Sequence, residues 1–191
     1  MKAKLAPPVA SLQWLPAERM GQMPVEPNVR PWLIGKGLLS RRMKEACGNR
    51  FTLRLVDQWT GLLSGALQRD LRVADNAALF SDVEMYRDDQ AWIFAQTVAP
   101  DSTLCLHPWL AEMGDSALDE TLLVLGGVVR STFEYAWLPA NDGAGSHPLA
   151  ARALRGADIK PSGLWARRTR VALRGAPLLM QEVFLPAVGH S

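Results

Sequence analysis

The stretch from Trp165 to Pro186 limits this chain's fold more than any other, because it reads as two extended runs closed on each other by a tight turn. Trp165–Arg174 and Pro177–Pro186 flank Gly175-Ala176. A two-residue turn there sets Val171 against Met180, Thr169 against Glu182 and Arg167 against Phe184. Successive strand residues point to opposite faces. One face then carries Trp165, Arg167, Thr169, Val171, Met180, Glu182 and Phe184, with the arginine and the glutamate on neighbouring diagonals. The other carries Arg168, Arg170 and Arg174, which suits solvent. A carboxylate among Met, Phe and Trp is costly unless it is paired or used. Two readings stand side by side: an Arg167–Glu182 ion pair inside the sheet, or a pocket wall where Glu182 meets a polar ligand group.

The remainder repeats the logic. Leu79–Arg87 and Gln90–Ala99 form a second hairpin through Asp88-Asp89, ended by Pro100. Phe51, Leu53 and Leu55 alternate with Thr52, Arg54 and Val56, and Val129, Ser131, Phe133 and Tyr135 alternate with Arg130, Thr132 and Glu134. Helical spacing joins Leu38, Leu39, Arg42, Met43 and Ala46 before Gly48, and returns over Pro108–Met113 and at Leu118, Leu122 and Leu125. Strands joined by hairpins and short helical excursions predict an α+β fold, a single antiparallel sheet with helices to one side. Residues 1–31 hold six of the 13 prolines and read as a loosely structured lead-in on the surface of a domain spanning 32–191. Asn141–Ser162, rich in Gly, Ala and Pro, reads as a mobile insertion within about 139–162.

Composition narrows the function classes. A length of 191 residues with 48% hydrophobic and 21% charged side chains fits one ordinary globular domain. The net charge of +2 gives no general pull toward nucleic acid or acidic membranes. Cys47 and Cys105 have no CxxC or metal-type spacing and read as two reduced, buried thiols. His107, His147 and His190 are scattered and suggest no metal site. Neither a secretory leader nor a run of roughly 18–20 apolar residues stands out, so the expectation is a cytoplasmic protein without cofactor, metal or membrane span.

The C-terminal hairpin also carries a family likeness. Gly163-Leu164-Trp165-Ala166-Arg167-Arg168-Thr169-Arg170, then Gly175-Ala176-Pro177-Leu178-Leu179, then Glu182-Val183-Phe184-Leu185-Pro186 closely resembles the closing hairpin of chorismate pyruvate-lyases. From Trp32 onward the likeness is looser, through Trp32-Leu33, Gly37-Leu38-Leu39-Ser40, Trp92 and Thr97-Val98-Ala99-Pro100. The resemblance implies helical flaps over a buried site in a monomer, and cofactor-free cleavage of chorismate to 4-hydroxybenzoate and pyruvate at the entry to the ubiquinone ring. It also implies that Leu39 and Leu118 offer backbone amides at helix starts to the ligand, and that Glu182 contacts it. The alternative is a non-catalytic binding module for a small aromatic or cyclic carboxylic acid, since the fold resembles ligand-binding domains of transcription regulators.

Two positions depart from the family pattern. Ser81 and Gln96 stand where the family has arginines, the first of which binds the substrate carboxylate. With Asp88-Asp89 as the turn, Ser81 is expected directly opposite Gln96, on a face shared with Val83, Met85, Trp92, Phe94 and Val98. That places both exchanges in one patch and makes Arg130 and Arg167 the candidates to supply the missing charge.

Overall fold

The computed structural model describes residues 13–140, 146–157 and 161–190. Its eight strands are β1 (Leu15–Pro16), β2 (Phe51–Leu62), β3 (Ala77–Arg87), β4 (Gln90–Pro100), β5 (Val128–Arg130), β6 (Glu134–Pro139), β7 (Gly163–Leu173) and β8 (Ala176–Phe184). They form one sheet in the order β1-β6-β7-β8-β4-β3-β2, with β5 also paired to β7, and every pairing is antiparallel. The helices are α1 (Arg30–Ile34), α2 (Leu39–Cys47), α3 (Gly65–Leu71), α4 (Asp101–Leu106), α5 (Leu118–Leu125) and α6 (Pro148–Ala153).

The expected face of the β7–β8 hairpin is present, but its partners differ. Leu173 pairs with Ala176, so the turn is Arg174-Gly175, with φ of 50° and 90°. A two-residue turn of this hand needs positive φ at both positions and favours glycine second. Moving the turn by one residue moves each partner by two, which preserves the faces. Arg167 therefore stands directly opposite Glu182 rather than diagonal to it.

Bulges change the faces elsewhere. In β4, Met85 pairs with Ile93 and Tyr86 with Ala91, leaving Trp92 as an extra residue. Trp92 is buried edge-on to Trp32 at 5.6 Å, and its carbonyl accepts from Leu185 N at 2.9 Å. Beyond the bulge, Ser81 pairs with Thr97 and Gln96 with Asp82. A one-residue slip sends side chains to the other face. The expected Ser81–Gln96 patch does not exist, and the two residues lie on opposite sides of the sheet.

The strand expected over 128–135 is likewise broken at 131–133. Arg130 pairs with Val171, yet Tyr135 pairs with Arg167. The break is held by Ser131, whose amide donates to Arg170 O (2.9 Å) and whose hydroxyl accepts from Arg170 N (3.0 Å). Arg130 and Tyr135 thus share the face that carries Glu182.

Helices cover both faces, not one. On the first face Leu39, Met43 and Cys47 of α2 pack with Met85, Trp165 and Phe184, and Leu122 of α5 packs with Leu79, Val171 and Met180. On the second face Leu71 of α3 meets Phe80, Val98 and Leu179, while Leu149, Ala150 and Ala153 of α6 meet Phe94, Leu164 and Val183. That much apolar surface demands a cover. The segment expected as a mobile insertion thus contains α6, with residues 141–145 and 158–160 lying outside the described residues. The expected surface lead-in is built into the domain: β1 adds an edge strand, and Met20, Val25 and Val29 are buried beside Leu33. Its residues 1–12 lie outside the described residues. Cys47 is buried as expected, Cys105 is exposed, and both are free.

A polar row crosses the second face, one residue per strand: Glu134, Arg168, Gln181, Gln96, Asp82 and Asp57. Arg168, expected toward solvent, is buried beneath α3, donates to Asp70 (2.5 Å) and Glu134 (2.8 Å), and stacks on Trp14. Gln181 donates to Gln96 (3.2 Å), Gln96 to Asp82 (2.8 Å), and Arg152 of α6 to both Asp82 (2.6 Å) and Asp57 (2.8 Å).

Close approach at the start of β7 gives a test of this packing. A Cβ on Gly163 would fall 2.5 Å from the Trp137 ring and 2.8 Å from Leu138 O. Overpacking of that kind costs roughly 1–3 kcal/mol. Gly163→Ala is expected to lower the urea midpoint of unfolding without changing its slope.

Candidate active site

A cavity of about 60 Å³, opening to solvent, lies between the first face of the sheet and the segment 113–119 that leads into α5. Its floor comes from β2, β3, β4 and β8 in two rows. One row is neutral and polar: Gln58, Ser81 and Thr97, continued by Met180 and by Thr169 of β7. Gln58 donates to Ser81 Oγ at 3.0 Å. The next row is Leu55, Val83, Ala95 and Glu182, continued by Arg167 and Tyr135. The remaining walls are mostly apolar, with Leu79, Met85, Leu110 and Leu118 among them.

Glu182 is the ion-pair partner of Arg167 and also faces the cavity. It lines the cavity, and it accepts a hydrogen bond from Arg167 Nε. Arg167 itself is fully buried and does not line the cavity. Its Nη1 donates to the carbonyls of Leu33 (3.2 Å) and Gly35 (2.9 Å), and its guanidinium lies over Phe133 and Phe184. A Cβ at Gly35 would fall 2.3 Å from the Arg42 guanidinium, which would have to move aside. Burial and the charge of Arg167 together lower the pKa of Arg42, which holds on through the carbonyls of Pro31 (2.7 Å) and Trp32 (3.1 Å).

The roof is where two helices begin. Leu39 and Leu118 are the first residues of α2 and α5, as the family likeness implies. Leu118 lines the cavity, whereas the Leu39 side chain is buried in the core behind it. Sequence reasoning missed Asp119. This buried carboxylate lines the cavity and accepts from Ser40 N (3.2 Å), Ser40 Oγ (2.7 Å) and Glu120 N (2.9 Å), so it satisfies amides of both helix starts. Helix N-termini favour negative charge. The one signal was an acidic residue in the first turn of a helix, which is common and points to no cavity. Lys44 closes a second link to Glu120 at 2.8 Å and, with the Ser40 hydroxyl, lowers that carboxyl's pKa. Asp115 reaches across the mouth to accept from Leu55 N at 2.5 Å.

Ser81 is a floor residue and Gln96 is not, being buried on the second face. Arg130 lies at the cavity's edge, its Nη2 at 4.0 Å from the sulfur of Met180, a lining residue. Among the described residues no three His, Cys, Asp or Glu side chains gather as a metal site, and no helix is long and apolar enough to cross a membrane.

The stability role of the central pair can be measured. Removing one partner of a buried ion pair costs about 3–5 kcal/mol because the other charge is stranded. Arg167→Met is expected to lose that much in urea unfolding. A loss below about 1 kcal/mol would mean that the pair is solvated.

Comparisons with known proteins agree on this architecture. A family model described as chorismate lyase matches residues 9–189. The chain is 30% identical over 170 residues to "Probable chorismate pyruvate-lyase" of Nitrosospira multiformis, covering 86% of this chain and 89% of that one. It is 33% identical to the protein of that name from Azoarcus sp., covering 85% and 86%. Among solved structures, the effector domain of PhnF from Mycobacterium smegmatis superposes with a TM-score of 0.55 at 17% identity, covering 80% of this chain and 91% of that one. The C-terminal domain of the histidine utilization repressor from Pseudomonas syringae gives 0.54 at 8% identity, covering 74% and 96%. At such identities these two share the fold alone.

Proposed function

The chain belongs to the chorismate lyase family, and from that premise we propose that its cavity binds chorismate and releases 4-hydroxybenzoate and pyruvate, supplying the ring of ubiquinone. The observation that carries this reading is Glu182, a family ligand residue by position, held by Arg167 on the floor of a largely apolar cavity. The reaction balances within the substrate. The hydrogen on the carbinol carbon passes to the enolpyruvyl methylene, the ring carbon–oxygen bond breaks, and its electrons become the carbonyl of pyruvate while the ring turns aromatic. No water, metal or redox partner is consumed.

Such chemistry asks the protein to hold a compact conformer and to match its charges. Rigid strands supply the first. In this reading Glu182, oriented by Arg167 Nε, accepts from the ring hydroxyl. The apolar floor around Val83 and Ala95 suits the face of the ring.

Pure protein given chorismate in the presence of a chelator is expected to form 4-hydroxybenzoate, followed by absorbance, and pyruvate, followed by coupled reduction, in equal amounts. A requirement for divalent metal, or one product without the other, would sink the proposal. Binding of 4-hydroxybenzoate without turnover would favour the non-catalytic module. Glu182→Gln keeps an oxygen for Arg167 Nε but loses the charge. Its turnover per bound substrate should fall about tenfold or more, the effect of ~1.4 kcal/mol, in a protein that remains folded by circular dichroism. Gln96→Ala, on the second face, should lower stability and leave 4-hydroxybenzoate affinity unchanged.

A further inference from the structure

The cavity's lining offers two acids, Asp119 and Glu182, and no base, whereas the proposed substrate carries two carboxylates. Neither acid attracts an anion. Where the family has a carboxylate-binding arginine, Ser81 presents a hydroxyl already engaged by Gln58. A carboxylate that leaves water for this row gains only neutral hydrogen bonds, about half as strong as charged ones. A cation from elsewhere must meet it, or the site rejects its substrate.

The structure separates the two candidates. Arg167 is committed, through Nε to Glu182 and through Nη1 to the α1 carbonyls, and it sits behind the cavity wall. Arg130 is not committed. It ends β5 opposite Val171, on the same face as Met180 and Glu182, and is half-buried. Its contact with a cavity side chain is the sulfur of Met180 at 4.0 Å, a weak acceptor, and it has no carboxylate partner among the described residues. The break at 131–133 brings it to this face along with Tyr135. Met180 and Glu182 are two residues apart on one strand face, about 7 Å. In chorismate and 4-hydroxybenzoate the carboxylate and hydroxyl stand at opposite ends of the ring. A ring whose hydroxyl reaches Glu182 can lay its carboxylate along this face past Met180, where Arg130 is the cation in reach of that side chain.

We propose that Arg130 grips the ring carboxylate of substrate and product, taking over the charge that Ser81 lacks. This rests on the lyase reading. A guanidinium suits the role because its planar fork can donate two parallel hydrogen bonds to one carboxylate.

Calorimetric titration with 4-hydroxybenzoate and its neutral isostere 4-hydroxybenzamide tests it, together with chorismate turnover. The natural protein should prefer the carboxylate over the carboxamide by about tenfold or more. Arg130→Gln should weaken 4-hydroxybenzoate by a similar factor, leave the carboxamide nearly unchanged and raise KM more than it lowers kcat. Arg130→Lys should keep part of the preference, and Ser81→Arg placed on Arg130→Gln should restore it. A carboxylate-to-carboxamide ratio near one in the natural protein overturns the proposal without any variant. So does equal weakening of both ligands in Arg130→Gln, which would mark a structural arginine. Turnover with unaltered 4-hydroxybenzoate affinity in Arg130→Gln overturns the assignment and leaves the lyase reading standing. Absence of both binding and turnover in the natural protein overturns the lyase reading and this assignment with it.

Discussion

Arg167 joins strand, helix and cavity wall through one side chain. A guanidinium at zero exposure has lost its water, and the sheet returns only part of what water gave. Glu182 supplies the countercharge, two or three carbonyls around α1 take Nη1, and the rings of Phe133 and Phe184 cover the planar faces. Nη2 has no partner. A replacement by well-packed apolar groups of the same volume is often neutral or better for stability. What the pair provides is placement: it holds Glu182 at one point on the cavity floor and draws the chain from Trp32 to Gly35 onto the sheet, which in turn sets where α2 begins.

How far the fold could be read in advance depended on parity. Alternation places Arg167, Thr169, Met180 and Glu182 on one face wherever a two-residue turn sits, because sliding it by one position moves partners by two. That is why an error in the turn left the site intact. Bulges do not respect parity, and nothing in the local pattern announces them. Trp92 looks like any buried strand residue, yet its extra place in β4 puts Ser81 and Gln96 on opposite faces. Ser131 looks like one step in an alternation, yet its bonds to Arg170 turn Arg130 inward. Asp119 was hidden for a different reason: its role depends on a residue 79 positions earlier, Ser40, which only tertiary structure brings to it.

The two departures from the family pattern therefore answer different problems. At Gln96 the missing arginine would have faced Asp82 across β3 and β4, in the polar row beneath α6. There Arg152 already supplies the cation, bonded to Asp82 and Asp57 and lying 3.8 Å over the Trp59 ring. Gln96 fits as a neutral link, accepting from Gln181 and donating to Asp82. A second guanidinium at that point would crowd the first. The exchange belongs to the far side of the sheet and says nothing about ligand charge.

Ser81 is the departure that bears on chemistry. Its row of hydroxyl and amide groups can orient a polar ligand but cannot offset a buried anion, and Asp119 already takes the Ser40 and Glu120 amides of the helix starts above it. Removing the cation from the strand while keeping Glu182 gives a floor that accepts hydrogen bonds at one point and repels carboxylates there. Such a site orients a hydroxy acid by exclusion: its acid end must turn away from Glu182. On the assignment proposed above, the direction left open runs past the unbranched, polarizable Met180 side chain, which can shift without strain, to half-buried Arg130 beside it. A cation at the rim has an advantage over one on the floor. It keeps its water until the ligand arrives, so the empty site carries less of the desolvation cost that a buried, unpaired arginine would impose.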